Sequence, residues 1–322
     1  MNAGADRQRG GRDLRGDGSA VREGSVKPWN VFRGRGAKDA IVGRLEGRPE
    51  AAGLAARICD FYGDALQYRE DAALESSRYA IDLQHEPVAL RAVRIELLLG
   101  TRRTTEALLH ELLHLGIPMQ GYPMGERFWM PDELGSYAHY VTSVHPIVGN
   151  LLEHELMIDS FLDLGFTKEN FLGCLSPPPD YEGLASGVWP TLCCREDIGF
   201  SWWCLEYFRH WVSMRHSAED EAEAYADRAL YWGSRVYPGL GRTAKQIRKL
   251  IESEALRDST RYPFHVNELL RFMKLPTLTG WATLLPGKGR PRAASVAQAG
   301  KPARCPAPMD GIGLRQNSPG LS

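Results

Sequence analysis

The spacing of apolar side chains along the chain predicts a mainly helical protein with a little sheet. Residues 50–67 place apolar side chains three and four positions apart, as an amphipathic helix does. Residues 90–99 alternate in part instead, which predicts a strand that ends at Gly100. A helix is expected next, capped by Thr104 or Thr105 and ended by Gly116, with Pro118 just beyond.

Helices dominate the pattern in the second half of the chain as well. Residues 121–140 are expected to be mostly loop, and Pro146 suits the first position of a helix that reaches about Leu164. The remaining apolar periodicity predicts helical segments at 196–234 (one long helix or two short ones), 243–257 and 264–274. We therefore expect an α+β fold in which helices outnumber strands.

Both ends of the chain differ in composition from its middle. Residues 1–40 are rich in Gly and Arg, with nine Arg or Lys against five acidic residues, and residues 286–322 are basic and rich in Gly, Pro, Ala and Ser. Segments that hold so few large apolar groups cannot bury enough surface to fold, so both are predicted to be disordered. The folded body is then 41–285, with a helical C-terminal part over about 191–285.

The overall charge of −1 gives the protein no electrostatic attraction to nucleic acid or to a membrane surface. No apolar run approaches the roughly 18 residues that span a bilayer, and no secretory signal opens the chain. Six cysteines without a CxxC pair are too few for a disulfide framework in 322 residues. A cytoplasmic protein is expected, with neither a membrane nor a nucleic acid as its partner.

The sequence His-Glu-Leu-Leu-His at 110–114 carries the clearest chemistry. Residues four apart lie on the same face of a helix, so His110 and His114 can offer two imidazole nitrogens to one divalent ion. Glu111 lies beside them, where its carboxylate can take a proton from a water molecule. The surrounding leucines add apolar bulk, and polar groups next to such bulk need a partner.

This HExxH segment, with the predicted strand before it, resembles the zincin metallopeptidases. The resemblance implies one zinc ion per chain, hydrolysis of a peptide or protein substrate, and Glu111 as the general base. It implies a zincin-like core, with the HExxH helix beside a small sheet. The metzincin extension requires Gly at 117 and His at 120, where this chain has Ile117 and Gln120, so that branch is excluded. No zincin subfamily is identified.

A catalytic zinc takes three protein ligands, and the third is expected from residues 145–165. The segment resembles the second helix of gluzincins, which supplies a Glu and, one turn later, an Asp that steadies a ligand histidine. Glu155 and Asp159 have this spacing, but gluzincins of the thermolysin group have Asn where this chain has His154. His154 is therefore an alternative third ligand, and Glu153 is a less favoured one.

Zincins also use an additional donor, often Tyr or His, to stabilise the oxyanion of the tetrahedral intermediate. His139, Tyr140 and His145 lie between the two segments expected to bind the metal and are candidates for this role.

Two other hypotheses belong to different classes of protein. The first is a zincin-like regulator without catalytic activity, which binds protein or nucleic acid and whose metal is only structural. The second is a ferritin-like di-metal bundle, since Glu111 and His114 form one ExxH pair. That architecture needs a second ExxH pair, and the sequence contains none.

Overall fold

Helices form most of the structure and two small sheets complete it, which confirms the expected α+β class. The computed structural model describes residues 30–84, 89–128, 135–171, 178–188, 196–216, 221–287 and 291–296. The strands in this part of the chain are β1 (Asn30–Arg33), β2 (Leu66–Asp71), β3 (Arg78–Gln84), β4 (Ala89–Leu98), β5 (Met124–Phe128), β6 (Leu278–Leu285) and β7 (Arg292–Val296).

Eight helices of eleven residues or more lie in the same described ranges. They are α1 (Gly34–Arg44), α2 (Pro49–Tyr62), α3 (Thr104–Met119), α4 (Gly135–Asp163), α5 (Glu196–His216), α6 (Glu221–Val236), α7 (Leu240–Ile251) and α8 (Tyr262–Phe272). None of them is both long and apolar enough to cross a membrane. The segment 196–234, expected as one or two helices, forms the two helices α5 and α6.

The first sheet is mixed, with the strand order β1-β2-β4-β3. Strands β2 and β4 are parallel, whereas β1 and β3 each run antiparallel to their neighbour. The strand predicted at 90–99 is confirmed as β4. The second sheet is antiparallel, with the order β5-β6-β7. Its strand β5 lies in the region that was expected to be loop. The local sequence did not predict this strand, because its partner β6 is about 150 residues away.

A glycine ends α2, whereas the glycine that was expected to end α3 does not. Helix α2 ends before Gly63, whose φ of 50° is costly for other residues, rather than at residue 67 as expected. Gly116, expected to end α3, lies inside it instead, because α3 continues to Met119. A Cβ at Gly116 would lie 3.6 Å from Cδ1 of Ile58, which is an ordinary contact distance, so α2 packs directly against this position of α3. Tyr62 then donates a hydrogen bond of 2.8 Å to the carbonyl of Leu115.

Helix α4 passes through Pro146 instead of beginning there. A proline inside a helix removes one backbone hydrogen bond and is normally costly. The apolar stripe explains the difference, since Val141, Val144 and Val148 are all buried at helical spacing on both sides of the proline. Their burial against the rest of the protein stabilises the additional turns before Pro146.

Folded elements extend into both termini that were expected to be disordered. Strand β1 and the first part of α1 lie within residues 30–40, and α1 buries Ala37 and Ile41. Strand β7 lies within 286–322 and pairs with β6 from Leu285↔Arg292 onward. The expected helical part at 191–285 ends in strand β6. Residues 1–29 and 297–322, which belong to the same two predictions, lie outside the described residues.

Helix α3 has a central position in the fold. It packs against α2, the strands β3 and β4, the strand β6 and the helix α4. Most of its residues from Leu108 to Pro118 are buried. Helix α4 in turn packs against α5, which packs against α6 and α7. The HExxH segment is therefore held from several sides.

Candidate metal centre

The side chains of His110 and His114 meet one turn apart on α3. Their Nε2 atoms are 3.2 Å apart. Two nitrogens bound to one tetrahedral ion at ~2.05 Å lie about 3.3 Å apart, so this separation suits a shared ligand. Burial, and then the neighbouring His114, lower the pKa of His110 to about 3. The His110 ring is consequently neutral at physiological pH and available as a donor to a cation.

His154, on helix α4, completes a group of three imidazoles. One ring nitrogen from each of the three histidines lies within 4.8 Å of the others. The ring centroid of His154 lies 4.9 Å from that of His110 and 5.2 Å from that of His114. Burial, followed by the neighbouring His110, His114 and His216, lowers the pKa of His154 well below its usual value. Phe171 packs against two of these rings, with centroids 5.0 Å from His110 and 5.4 Å from His154.

Glu155, the first choice for the third ligand, is not brought to the histidines. Its Oε1 accepts a hydrogen bond of 2.9 Å from Nε of Arg215, and its Oε2 accepts one of 3.2 Å from Nη2. The same Oε1 lies 2.9 Å from Nε2 of His216. Successive helical residues point about 100° apart, so Glu155 faces α5 whereas His154 faces α3. The structure thus brings together three histidines rather than two histidines and a carboxylate.

Glu153, the other alternative, contacts Nδ1 of His114, the ring nitrogen that does not face His110. Its Oε2 accepts a hydrogen bond of 2.6 Å from Nδ1 of His114. A ring whose Nδ1 donates to a carboxylate carries a lone pair on Nε2 when it is neutral, and Nε2 is the atom that faces His110. Carboxylates in this position orient metal-binding histidines and raise their basicity. Glu153 therefore has the contact with a histidine that the resemblance had assigned to Asp159.

Glu111, next to His110 in α3, is buried, and its side chain lines the same cleft as the three histidines. Burial raises the pKa of its carboxyl to about 7. His114 and a backbone hydrogen bond from Tyr79 act in the opposite direction, whereas the charge of Glu153 adds to the increase. A carboxyl group with a pKa near 7 can both accept and release a proton at neutral pH.

Of the four remaining candidates, one lies in the cleft. Asp159 is exposed and pairs with Arg257 at 3.0 Å. His139 is exposed, and the hydroxyl of Tyr140 lies 2.6 Å from Oγ of Ser201 on α5. His145 lines the cleft, and its partial burial lowers its pKa. Among these four, His145 alone is placed where a substrate group could reach it.

A cleft of about 1600 Å³ runs along α3 past the three histidines. Toward the C-terminal end of α3 its walls are apolar, and they come from α3, β5, α8 and β6: Ile117, Met124, Val266, Leu270, Leu278 and Trp281. Toward the N-terminal end its walls include the polar residues Thr101, Arg103 and Asn170. Strand β3 contributes Tyr79 and Ile81 to the cleft. Among the described residues, this strand pairs with β4 on one side only.

Sequence reasoning missed Tyr79 and Phe171 as parts of this centre. Both are aromatic residues of ordinary local context, and only the pairing of β3 with β4 and the turn at Lys168–Phe171 bring them to the histidines. No local spacing signals such contacts. No protein-family model, curated protein or solved structure matches this chain.

Proposed function

We propose that this protein is a zinc-dependent hydrolase with a zincin-like core, a peptidase in which His110, His114 and His154 hold one zinc ion. The observation that carries the proposal is the 3.2 Å approach of two Nε2 atoms, with a third imidazole within 4.8 Å and Glu111 beside them. Two such nitrogens at this distance require a proton or a cation between them. The third imidazole nitrogen within 4.8 Å favours the cation, since a hydrogen bond needs only two nitrogens.

The donor set favours zinc among the divalent metals. Imidazole nitrogens suit zinc, copper, iron and nickel, whereas magnesium and calcium prefer oxygen donors. Three protein ligands with a fourth position left for water or substrate are the usual arrangement of a catalytic zinc site. When bound, zinc polarises a carbonyl and lowers the pKa of water. The location of the three histidines along an open cleft supports a catalytic rather than a closed structural site.

In the proposed reaction, the residues of this chain position the substrate and move the proton. Glu111 accepts a proton from the attacking water and returns it to the leaving amine, for which a pKa near 7 is well suited. Glu153 keeps His114 oriented during this exchange. His145, in the wall of the cleft, is the candidate among the predicted donors to approach the oxyanion.

The shape of the cleft supports an extended peptide as the substrate. In the described part of the chain, no strand lies on the other side of β3, and the backbone of this edge can pair with a peptide added as a further strand. The apolar end of the cleft, with Leu278 and Trp281, suits a large apolar side chain.

Metal analysis combined with a digestion assay tests the proposal. The purified chain is expected to contain one zinc, and His110→Ala, His114→Ala and His154→Ala are each expected to lose it. His139→Ala is the matched control, because His139 lies exposed on the same helix as His154. Against a diverse peptide library read by mass spectrometry, Glu111→Gln is expected to keep the zinc and lower hydrolysis at least ~100-fold.

Asp159→Asn serves as the control carboxylate in that assay, since its side chain is exposed and does not line the cleft. Hydrolysis by Glu111→Gln at the parent rate would exclude the mechanism. Bound zinc without any turnover by the parent would favour the regulatory hypothesis instead.

A further inference from the structure

Tyr79, on strand β3, contacts both His114 and the carboxylate of Glu153. Its ring stacks on the imidazole of His114, with centroids 4.6 Å apart and planes inclined by 14°. Its hydroxyl donates a hydrogen bond of 2.6 Å to Oε2 of Glu153. The same oxygen accepts the bond from Nδ1 of His114, also at 2.6 Å. Three side chains from three elements, β3, α3 and α4, therefore close one ring of contacts.

Each contact in this ring restricts a side-chain motion that the other contacts allow. A carboxylate with one partner can rotate, but Oε2 of Glu153 is held by two donors at once. A histidine with one hydrogen bond can tilt about it, but the stacked phenol ring limits that motion of His114. A carboxylate can only accept hydrogen bonds, so the hydroxyl of Tyr79 is the donor in its bond to Oε2 of Glu153.

We propose that Tyr79 is a positioning residue of the metal centre. Its hydroxyl fixes the carboxylate of Glu153 and its ring fixes the plane of His114, so that His114 keeps Nδ1 protonated and presents Nε2 to the ion. The inference rests on the metal site of the proposed function but does not depend on peptidase activity. It adds a member to the centre that lies on the sheet rather than on either metal-binding helix.

The test is the affinity of the metal-stripped protein for Zn²⁺ alone, measured by competition with a chelator. Tyr79→Phe keeps the ring and removes the donor, and it is expected to weaken zinc binding about 10-fold. Tyr79→Leu also removes the stacking and is expected to weaken it further. Tyr122→Phe is the matched control, because this cleft tyrosine donates its hydrogen bond of 2.6 Å to the carbonyl of Arg257 instead.

A double-mutant cycle shows whether Tyr79 acts through Glu153. Glu153→Gln is expected to weaken zinc binding about 10- to 100-fold, and adding Tyr79→Phe should cost little more. The visible spectrum of the Co²⁺ form should change in Tyr79→Phe and stay unchanged in Tyr122→Phe. Urea unfolding of the metal-stripped variants separates a general loss of stability from an effect on the site.

The outcomes distinguish this inference from the function it rests on. A parent chain that binds no zinc would overturn both proposals. A parent that binds zinc but cleaves nothing leaves the role of Tyr79 intact. Equal zinc affinities for Tyr79→Phe and Tyr122→Phe, or fully additive losses in the cycle with Glu153→Gln, would overturn the inference alone.

Discussion

Three consecutive residues of α4 have different partners: Glu153 supports His114, His154 joins the histidine group, and Glu155 pairs with α5. The sequence identified His110 and His114 because a four-residue spacing is enough to place two rings on one helical face. It left the choice between His154 and Glu155 open for a physical reason. The groups that engage Glu155, on Arg215 and His216, lie about 60 residues away along the chain.

Glu155→Gln is expected to retain zinc but destabilise the fold. The side chain of Glu155 is 4% exposed, and its charge is the closer of the two carboxylates that pair with Arg215, at 2.9 Å against 3.6 Å for Glu252. Breaking a buried ion pair costs about 3–5 kcal/mol, and the 32% exposure of Arg215 reduces this to about 2–3 kcal/mol of unfolding free energy. Urea unfolding and metal analysis check both parts.

The exposed pair of Asp159 with Arg257 provides the control for that experiment. Asp159→Asn should change the unfolding free energy by less than about 1 kcal/mol. Loss of zinc from Glu155→Gln to the same extent as from His154→Ala would identify Glu155 as a ligand after all.

The carboxyl of Glu111 should make the metal-stripped protein less stable as the pH rises. Its pKa is about 7 in the folded protein and 4.5 in the reference state, because burial disfavours the charge. Native protein therefore binds the extra proton between these values, and this stabilisation, complete below pH 4.5, is lost as the pH rises to about 7.

Glu111→Gln removes that titration, so unfolding experiments on parent and variant isolate it from the histidines. The free energy of unfolding of the variant, relative to that of the parent, should increase between these pH values. At pH 8 the variant should be the more stable protein, by up to about 3 kcal/mol. A parent-minus-variant difference that stays constant with pH would contradict the assigned pKa.

At the scale of the elements, apolar periodicity located the helices but not their ends. Gly116 was expected to end a helix and Pro146 to begin one, yet both lie inside helices because burial on each side outweighs the local preference. The strands β5 and β6 escaped prediction since their pairing joins distant parts of the chain. The side chain of Asn267 fixes this region by bonding both the N–H and the carbonyl of Leu278.

Gly233 on α6 shows how tightly the helical part packs. A Cβ there would lie 2.4 Å from Cδ2 of Leu240 and 2.9 Å from Cε3 of Trp203. Overpacking costs about 1–3 kcal/mol and the better helix propensity of alanine returns less than about 1, so Gly233→Ala should lose about 1–2 kcal/mol. Thermal unfolding measures the difference. Gly43→Ala on α1, where the same atom meets nothing within 4 Å, should be neutral or slightly stabilising, and equal effects at both positions would refute the packing argument.

For the whole molecule, the three histidines join the two central helices. His110 and His114 belong to α3 and His154 to α4, and α3 also contacts the sheets while α4 contacts α5. An ion bound there would connect the sheet-bearing part to the helical part. The core does not depend on it, however, because a large set of buried apolar residues extends through both parts without the site.

Metal removal is therefore expected to lower the thermal stability of the protein without unfolding it. Zinc at 100 times its dissociation constant stabilises the folded state by about 2.7 kcal/mol, which for a body of this size corresponds to about 5–10 °C in Tm. Calorimetry before and after a chelator, at matched ionic strength, measures the change. Returned Zn²⁺ should restore the higher Tm, whereas Mg²⁺ should not, because imidazoles are poor ligands for it.

His154→Ala separates a bound ion from a direct effect of the chelator. With only the two histidines of α3 left, the ion no longer spans α3 and α4, so the Tm of this variant should barely respond to the chelator. His139→Ala, exposed on the same helix, should respond as the parent does. A parent that keeps its Tm after its zinc has been removed would show that the site does not connect the two helices, and the central position of α3 would then be a matter of packing alone.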